Sequence, residues 1–595
     1  MRKIFKNMAW TMAATLVMAA CSDSLDESDS TGQGPLTGEG YVKVAINMPS
    51  VSSTRAFDES TDLDDGLDKE WTVKNGIIAF FEGKDVEGEA KFVKAYDLGT
   101  MTDNSTTNNN HVSNIPYAKT LNAPVLSDGN TQMYALVILN NGENNSLASV
   151  DNEGKRLTLK NGDAPIMLES GTSTFKDLDG AKWVLNSTDI TSDDNGFLML
   201  NAPLYYSNTQ NADDSNNGKT QTLVPVTVYS DETTANQNPV NIYVERIVAK
   251  VDVSISNLTQ IGEDSNKKGL AVKDESVYYG DQVVFVDDNS SAEPLGWVLN
   301  VTNKNTKPLR NVSEITDWLK LSSITNRNFI GTTSVEGNWK RIYWAIDNNY
   351  DGTSSDTDFN IYRSNSTENP LPINWGEYST GTDASATIYP QYCLENTAHA
   401  ADMKENNTTC VLIKAIYLVD GIDAVDKSFF MIGDNAVTLS KTEFLSKIKT
   451  TLGITEPSNI TLGIDEDVDG GYYKGADKLK ELITGLDNSG ATYDEALNSL
   501  GEIRYYKDGG CYYYSVPIQH FEINQPTGQE VTDDNFLGGY GVVRNNWYQI
   551  QINSVSGPGE PGVDPGEEPI VKDEGYIKCT INVLSWAKRS QGVDL

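Results

Sequence analysis

The sequence predicts a mainly β protein with at least two domains. The chain has 595 residues, and a single hydrophobic core stops growing at roughly 250–300 residues. Runs rich in β-branched and aromatic residues recur along it, separated by loops of Asn, Ser, Thr, Asp and Gly. Hydrophobic residues make up 38% of the chain and aromatic residues 9%, which is enough to build packed cores.

The predicted strands follow these runs. They are residues 41–48, 76–81, 133–139, 223–229, 240–255, 283–286, 342–346, 410–418 and 547–552. Residues 502–507 and 511–523 flank Asp508-Gly509-Gly510, a sequence typical of a β-hairpin turn.

One region has a helical pattern instead. Ser440 and Glu443 form a capping box ahead of apolar residues at helical spacing, and Thr492 and Glu495 form a second. We therefore expect a helical insertion over about residues 440–500 in the C-terminal domain.

The charge of the chain argues against one large class of partner. It carries 84 acidic and 46 basic residues, a formal net charge of −38. A fold this negative repels phosphate backbones, so no nucleic-acid partner is expected.

The sequence contains no nucleophile elbow, zinc-protease helix motif or phosphate-binding glycine loop. We therefore expect that the protein is not an enzyme.

The N-terminus has the pattern of a lipoprotein signal. Residues 1–20 have a basic start and an apolar stretch too short to span a bilayer. Small residues directly before Cys21 resemble a bacterial lipobox, in which the cysteine is lipidated; an ordinary secretory signal that contains a cysteine is the alternative. Residues 21–40 are polar and are expected to form a tether. The sequence thus predicts an outer-membrane lipoprotein precursor carrying palmitate on Cys21.

The two ends of the fold carry matching segments. Residues 40–48 read GYVKVAINM and residues 575–583 read GYIKCTINV. Both alternate with period two, so each presents one apolar face. In the second copy that face comprises Ile577, Cys579, Ile581 and Val583. Either these are two unrelated half-buried strands, or the C-terminal strand can replace the first strand in the same groove.

Arg55 provides a route by which the first strand could leave. It lies in a loop of small residues directly after that strand, where a trypsin-like protease would cut before Ala56. Loss of the strand would expose a groove and unpaired strand edges. The C-terminal strand of a second copy could fill the groove by β-augmentation. Because such a head-to-tail contact does not close, it would generate an open filament.

The order of several motifs along the chain is similar to that of one known family. They are the lipobox ending at Cys21, Ser53-Thr54-Arg55-Ala56, and residues 197–203, 244–251, 544–550, 583–586 and 592–595. In this order they resemble the shaft fimbrillins of Bacteroidales type V pili, including those of the short fimbriae of Porphyromonas. The resemblance covers nearly the whole chain.

The resemblance implies two transthyretin-like β-sandwich domains and export as a lipoprotein. It implies cleavage after Arg55 by an Arg-specific protease and assembly by donor-strand exchange. Implied partners are copies of the chain in a head-to-tail filament, accessory anchor and tip subunits, and host or bacterial surface ligands for adhesion. The chain has both a processing site and a C-terminal extension, a combination that implies a shaft subunit of a cell-surface fimbrium.

These observations divide the chain as follows. A polar loop at residues 207–221 precedes the predicted boundary between the domains, and Pro and Gly are dense after residue 556. The expected parts are a signal peptide (1–20), a tether (21–40), a removable first strand (41–55), an N-terminal β-sandwich (56–235), a C-terminal β-sandwich (236–555), a Gly/Pro linker (556–570) and a donor strand (571–595).

Two loops have the residue spacing of calcium sites. Hard oxygen ligands at alternate positions followed by a Gly turn suit Ca²⁺. The candidate ligands are Asp465, Asp467 and Asp469 in one loop, and Asp347, Asn349, Asp351 and Asp358 in the other. Ala476 stands at the twelfth position of the first loop, where a bidentate Glu would be wanted. Solvated acidic turns are the alternative, and calcium is the one cofactor that the sequence suggests.

Two further questions stay open at the level of sequence. Cys393 and Cys410 are the one pair of cysteines close in sequence, and they could form a disulfide or stay free thiols. Tyr505, Tyr506 and residues 512–514 line the predicted hairpin. They could stack on sugars, which would suit a monomeric surface lipoprotein that binds glycan or host protein, or they could pack across strands.

Overall fold

The computed structural model describes most of the chain between residues 38 and 585. The described residues are 38–47, 67–84, 87–101, 115–123, 131–161, 164–185, 187, 189–274, 277–287, 294–321, 327–352, 355–364, 374–380, 387–422, 426–433, 438–453, 460–463, 470–485, 491–512, 516–522, 531–566, 569–570 and 577–585. Within these ranges, no helix has both the length and the apolar character needed to cross a membrane.

Short strands dominate the described residues, which confirms the mainly β fold. The strands of the N-terminal part are β1 Gly38–Asn47, β2 Asn75–Gly83, β3 Lys91–Thr100, β4 Ile115–Ala123, β5 Gln132–Leu139, β6 Ala148–Val150, β7 Arg156–Leu159, β8 Ile166–Glu169, β9 Trp183–Val184, β10 Thr191–Ser192, β11 Gly196–Phe197, β12 Met199–Asn201, β13 Leu204–Tyr206, β14 Thr220–Gln221, β15 Val224–Val226 and β16 Val240–Arg246.

The strands of the C-terminal part follow after a single residue. They are β17 Val248–Ile255, β18 Thr259–Gln260, β19 Lys267–Asp274, β20 Val277–Asp287, β21 Gly296–Asn300, β22 Thr302–Asn303, β23 Asn305–Thr306, β24 Ile330–Glu336, β25 Trp339–Ile342, β26 Phe359–Asn360, β27 Gln391–Leu394, β28 Cys410–Leu418, β29 Phe429–Ile432, β30 Thr461–Leu462, β31 Gly471–Lys474, β32 Ile483–Thr484, β33 Glu502–Tyr506, β34 Gly510–Tyr512, β35 Val516–Pro517, β36 Asn546–Val555 and β37 Ile577–Ser585.

The helices are short, and three of them cluster in one region. They are α1 Asp68–Trp71, α2 Phe175–Asp179, α3 Glu232–Gln237, α4 Ile315–Trp318, α5 Lys441–Thr451, α6 Ala476–Leu482, α7 Ala491–Asn498 and α8 Asp533–Phe536.

Two large open sheets organise the described residues. The N-terminal sheet has the order β3-β2-β5-β12-β16-β1-β4, with β15 also on β5. The C-terminal sheet has the order β21-β28-β20-β19-β36-β17-β27, and β37 adds to it by pairing with β36. Only Ile247 separates β16 from β17, so the chain passes directly from one sheet to the other. This arrangement is consistent with two β-sandwiches; their transthyretin-like topology and their boundaries stay predictions.

Both sheets repeat one pairing. In the N-terminal sheet, β1 runs parallel to β16, with Val44 opposite Val240. In the C-terminal sheet, β17 runs parallel to β36, with Val251 opposite Tyr548. The first strand of each sheet therefore lies beside a late strand of the same sheet. Pairing between strands this far apart in sequence is slow to form during folding.

The helices of the insertion confirm one predicted capping box and correct the other. Ser440 caps α5: its hydroxyl accepts the Glu443 N–H at 3.3 Å, and the Glu443 carboxylate accepts the Ser440 N–H at 2.9 Å. The second box is wrong, because α7 begins at Ala491 and Thr492 lies inside it. The helices share a separate core with the small sheet β29-β33-β31.

The predicted hairpin around residues 508–510 is also wrong. β33 pairs with β29 and β31, whereas β34 pairs with β28 in the C-terminal sheet. Asp508 and Gly509 have φ values of 52° and 73°, so they supply a tight left-handed turn. Ile503 and Tyr505, before the turn, belong to the core of the helical insertion, whereas Tyr506 and Cys511 belong to the core of the C-terminal sheet. The turn joins strands of two different sheets.

Two smaller expectations are also settled. The predicted strand at residues 342–346 is wrong: β25 ends at Ile342, and Tyr343 and Trp344 are buried outside any strand. Cys393 and Cys410 are free buried thiols rather than a disulfide. Burial raises the pKa of both thiols to about 12, which leaves them protonated and unreactive near neutral pH.

Candidate assembly site

The first strand has both of its edges paired in the N-terminal sheet. β1 runs parallel to β16 along one edge and antiparallel to β4 along the other. Tyr41 also exchanges two main-chain hydrogen bonds with Tyr229, at 2.7 and 2.8 Å. Val42 and Val44 are 2% and 1% exposed in the N-terminal core. β1 thus buries one apolar face, as its alternating sequence predicts.

The C-terminal strand lies on its own chain in this structure. β37 pairs antiparallel with β36, from Asn546 opposite Ser585 to Val555 opposite Ile577. Among the described strands, β36 is its one partner. The backbone of Ile577, Cys579, Ile581 and Val583 is described, but their side chains lie outside the description. The structure does not bring β37 to the position of β1, so donor-strand exchange stays a prediction.

The predicted modification sites lie outside the described residues. Cys21, the expected lipid attachment site, falls before residue 38. Arg55 and Ala56, the expected processing site, fall between β1 and the next described residue, Leu67. Lipidation and cleavage therefore stay predictions.

The first calcium candidate cannot be placed. Asp465, Asp467 and Asp469 lie outside the described residues. In the other loop, Asp347 is buried. Its carboxylate accepts hydrogen bonds from Asn303 Nδ2 at 2.8 Å and from the Thr397 N–H at 3.0 Å. It also accepts from the Asn349 N–H at 2.8 Å. Burial raises the pKa of Asp347 to about 7.

The remaining ligand candidates of that loop have separate partners. Asp351 faces His399 Nε2 at 3.8 Å. Asp358 accepts the Ser355 N–H at 3.1 Å and pairs with Lys182 Nζ at 3.1 Å. In the part of the chain that the structure describes, no three His, Cys, Asp or Glu side chains form a group that could hold a metal ion. Calcium binding stays a prediction for both loops.

The structure also reveals a buried charged junction that sequence reasoning missed. It joins residues 244–250 to residues 544–547. Lys250 lies 3.7 Å from the centre of the Trp547 ring and 2.9 Å from a Glu70 carboxylate oxygen. Arg246 donates to Asn545 Oδ1 at 3.0 Å. Buried charges need close partners of this kind. The available signal was four charged residues inside the otherwise strand-like run 240–255.

A second set of ion pairs extends the junction. Glu245 pairs with Arg310 at 3.0 Å, and Glu395 pairs with Arg544 at 3.5 Å. Arg341 donates to the Asn545 carbonyl at 2.6 Å. All five of these charged side chains are nearly inaccessible to solvent. The junction therefore connects the end of the N-terminal sheet firmly to the start of the C-terminal one.

The segment predicted as a linker is packed against the protein. We call residues 556–566 and 569–570 the strap. Gly557, Pro558 and Gly559 are buried. Tyr506 Oη donates to the Gly559 carbonyl at 2.7 Å, and Glu560 and Tyr512 exchange main-chain hydrogen bonds at 2.7 and 2.8 Å. The Gly and Pro content correctly excludes a helix or central strand, but the strap does not stand off from the fold.

Two aromatic residues of the predicted hairpin, Tyr505 and Tyr506, pack in cores. Tyr505 stacks on Phe430 with ring centres 4.8 Å apart, and Tyr506 stacks on Phe429 at 4.3 Å. Both tyrosines are buried, so neither can offer its ring to a sugar. Residues 513 and 514 lie outside the described residues.

One family model matches the chain. Residues 504–592 match the family described as "Major fimbrial subunit protein type IV, Fimbrillin, C-terminal". The match spans the strap, β36 and β37. No curated protein matches the sequence.

Solved structures resemble the chain only distantly. A fimbrilin from Porphyromonas gingivalis is 11% identical, with 92% of this chain and 99% of that chain covered and a TM-score of 0.33. A candidate cell adhesion protein from Parabacteroides distasonis is 11% identical, with 93% and 98% covered and a TM-score of 0.34. The tip fimbrial protein Mfa3 of P. gingivalis is 11% identical, with 92% and 100% covered and a TM-score of 0.29. None of these three structures reaches a TM-score of 0.5, so only the family match is used as evidence below.

Residues 504–592 are therefore similar to the C-terminal region of fimbrillins, and the protein is fimbrillin-like. The family is one of structural subunits, in agreement with the expectation that the chain is not an enzyme. The match supports a role as a fimbrial subunit at the cell surface.

Proposed function

We propose that the protein is the major shaft subunit of a surface fimbria and polymerises through its C-terminal strand. It is exported as a lipoprotein through Cys21 and processed after Arg55 by an Arg-specific protease. Processing frees the first strand, and β37 of a second copy takes its place. The filament carries adhesion to host or bacterial surfaces, with accessory subunits at its anchor and tip.

The observation that carries this proposal is the match between β1 and β37. Aligning residues 40–48 with residues 575–583 places Ile577 at the position of Val42 and Cys579 at that of Val44. Val42 and Val44 are both buried in the N-terminal core. Four apolar side chains inserted there would contribute about 6–12 kcal/mol before ordering costs, at roughly 1.5–3 kcal/mol each.

Strand pairing also favours the exchange. On its own chain β37 pairs with one described strand, β36. In the position of β1 it would pair with β16 on one edge and β4 on the other. Moving from a one-sided to a two-sided position gains main-chain hydrogen bonds, which are the usual source of affinity in β-augmentation. In this proposal, β37 lies on β36 of its own chain only before the subunit assembles.

The proposal is tested on material sheared from intact cells. We expect a high-molecular-weight species whose first residue is Ala56. Arg55→Lys keeps the charge but removes the Arg-specific site, so it should leave unprocessed, unpolymerised lipoprotein. Deletion of residues 577–595 should leave folded, secreted monomer. Filaments that persist after the deletion, or filaments of full-length protein beginning at a lipid-blocked Cys21, would refute the proposal.

A further inference from the structure

The strap is held along its whole described length, beginning next to β36. Tyr506 Oη and Tyr512 hold Gly559 and Glu560 through the hydrogen bonds given above. Val563 donates its N–H to Ser364 Oγ at 2.8 Å, and its carbonyl accepts the Ser364 N–H at 2.9 Å. Each of these contacts uses main-chain atoms of the strap. The path of the strap is therefore fixed independently of most of the strap's side chains.

The helical insertion forms part of the surface that holds the strap. Tyr472, in β31 of the insertion, donates its hydroxyl to the Glu560 carboxylate. The two backbones approach closely there: a Cβ on Gly470 would lie 3.2 Å from the Pro561 carbonyl oxygen. A Cβ on Gly562 would lie 2.8 Å from Ser364 Oγ and 3.8 Å from the Gly471 Cα. A side chain at Gly470 would therefore crowd the backbone of the strap, and one at Gly562 would crowd Ser364.

The far end of the strap is held as firmly as its start. Asp564 pairs with Arg363 at 3.1 Å. Gly566 donates to the Glu405 carboxylate at 3.2 Å and accepts the Asn406 N–H at 3.0 Å. Ile570 donates to the Met403 carbonyl at 3.1 Å. The last described residue before β37 is therefore fixed on the body of the protein.

Chain length then limits where β37 can go. Residues 571–577 can span at most about 25 Å when fully extended. The start of β37 must lie within that distance of Ile570, whether it pairs with its own β36 or with another copy.

We propose that the strap stays docked during assembly and positions the donor strand, and that the helical insertion serves to hold the strap. This inference rests on the proposed function. It makes Ile570 the fixed point from which the strand leaves, and it requires the groove of the next subunit to come within reach of that point. The strap and the insertion are thus positioning elements for the assembly contact.

Two engineered disulfides test this proposal in a Cys579→Val background. The strap lock, Lys404→Cys with Pro569→Cys, joins residues that face each other in an antiparallel bridge next to Ile570. The strand lock, Gln551→Cys with Thr580→Cys, joins opposed residues of β36 and β37. Opposed residues of antiparallel strands have Cα separations that suit a disulfide. Alkylation followed by gel electrophoresis confirms closure of each disulfide.

The strap lock should polymerise at the rate of its background in both oxidised and reduced forms. The strand lock should polymerise only when reduced. A strap lock that assembles only when reduced would overturn the inference, since the strap would then have to undock. A strand lock that assembles when oxidised would instead overturn the proposed function.

A replacement of the strap gives the complementary measurement. Exchanging residues 556–566 for a Gly/Ser sequence of equal length removes the contacts that hold the strap on the protein. It keeps β37 and the number of residues that connect β37 to β36. We expect the polymerisation rate to fall roughly tenfold or more, because the effective concentration of a strand on a flexible tether depends on its geometry. Assembly at the wild-type rate by a variant with a wild-type melting profile would contradict a positioning role.

Discussion

Lys250 directs its ammonium at the face of the Trp547 indole, 3.7 Å from the ring centre. The same indole donates its N–H to Asp252 Oδ1 at 3.0 Å, which fixes the ring. Glu70, in the helix that follows the predicted processing site, completes the arrangement with a carboxylate oxygen 2.9 Å from Lys250. The junction between the two sheets therefore depends on a fully buried ion pair that involves the first described segment after β1.

Glu70→Leu should destabilise the protein strongly, because it leaves the Lys250 charge buried without its carboxylate. Removal of one partner of a buried pair typically costs about 3–5 kcal/mol. The double variant Glu70→Leu, Lys250→Met should recover part of that loss, since no charge then remains in the site. Urea unfolding of both variants measures the difference. A double variant no more stable than Glu70→Leu alone would argue against the pair as the cause.

Glu87 should make stability depend on pH. Its carboxylate accepts the Thr222 N–H at 2.9 Å and the Leu223 N–H, and burial raises its pKa from 4.5 to about 7. The folded state therefore binds a proton on the Glu87 carboxylate more tightly than the unfolded state does. The contribution of this protonation to the free energy of unfolding is fully present below pH 4.5 and is lost as pH rises through about 7.

Glu87→Gln should remove that pH dependence. Relative to wild type, the variant should gain stability as pH rises from about 5 to about 8, by up to a few kcal/mol. Glu89→Gln, an exposed change in the same turn, is the control and should follow the wild-type profile. Thermal melts across this pH range provide the measurement. Parallel profiles for Glu87→Gln and wild type would contradict the assignment.

His520 should matter for stability rather than chemistry. It is fully buried, with Nε2 2.6 Å from the Tyr343 carbonyl and Nδ1 2.7 Å from Tyr548 Oη. Because a carbonyl only accepts, Nε2 carries the proton and Nδ1 accepts from the tyrosine. His520→Leu leaves that carbonyl buried without its donor, at a cost of about 1–3 kcal/mol. His399→Leu, at a half-exposed site, should cost less in the same denaturation assay.

Local patterns predicted much of the fold, but not its long-range partners. The capping box at Ser440 was correctly predicted because its signal lies within four residues. The turn at Asp508 was predicted to join a hairpin, yet its flanking strands belong to different sheets. Alternation of apolar residues shows that β1 has a buried face; it does not reveal that β16, about two hundred residues later, lies beside it.

The candidate assembly site shows the same limit. The match between the two ends of the chain was visible in sequence, whereas the docking of β37 on β36 depends on a register that only the structure shows. The density of Gly and Pro predicted a linker at the strap. The strap is packed nonetheless: its main chain passes close to Gly470, and a side chain at its own Gly562 would crowd Ser364.

Substitutions on the two faces of β37 should have different effects on assembly. Ile581→Asp places a charge at a position that aligns with the apolar face of β1, so polymerisation should be lost. Asn582→Asp adds the same charge at the neighbouring position, on the other face of the strand, and should polymerise nearly as wild type. Sedimentation of processed protein compares the two. Equal behaviour of the variants would argue against insertion of this face.

The most direct test of strand exchange uses the native Cys579. If β37 of one subunit replaces β1 of the next in the same register, Cys579 will lie opposite Val240, as Val44 does in the single chain. Val240→Cys filaments should therefore give disulfide-linked ladders on denaturing gels, and Asn241→Cys filaments, with the cysteine on the opposite face, should not. Ladders confined to Val240→Cys are the predicted result. Filaments of Val240→Cys that oxidise without any intersubunit link to Cys579 would contradict donor-strand exchange in this register.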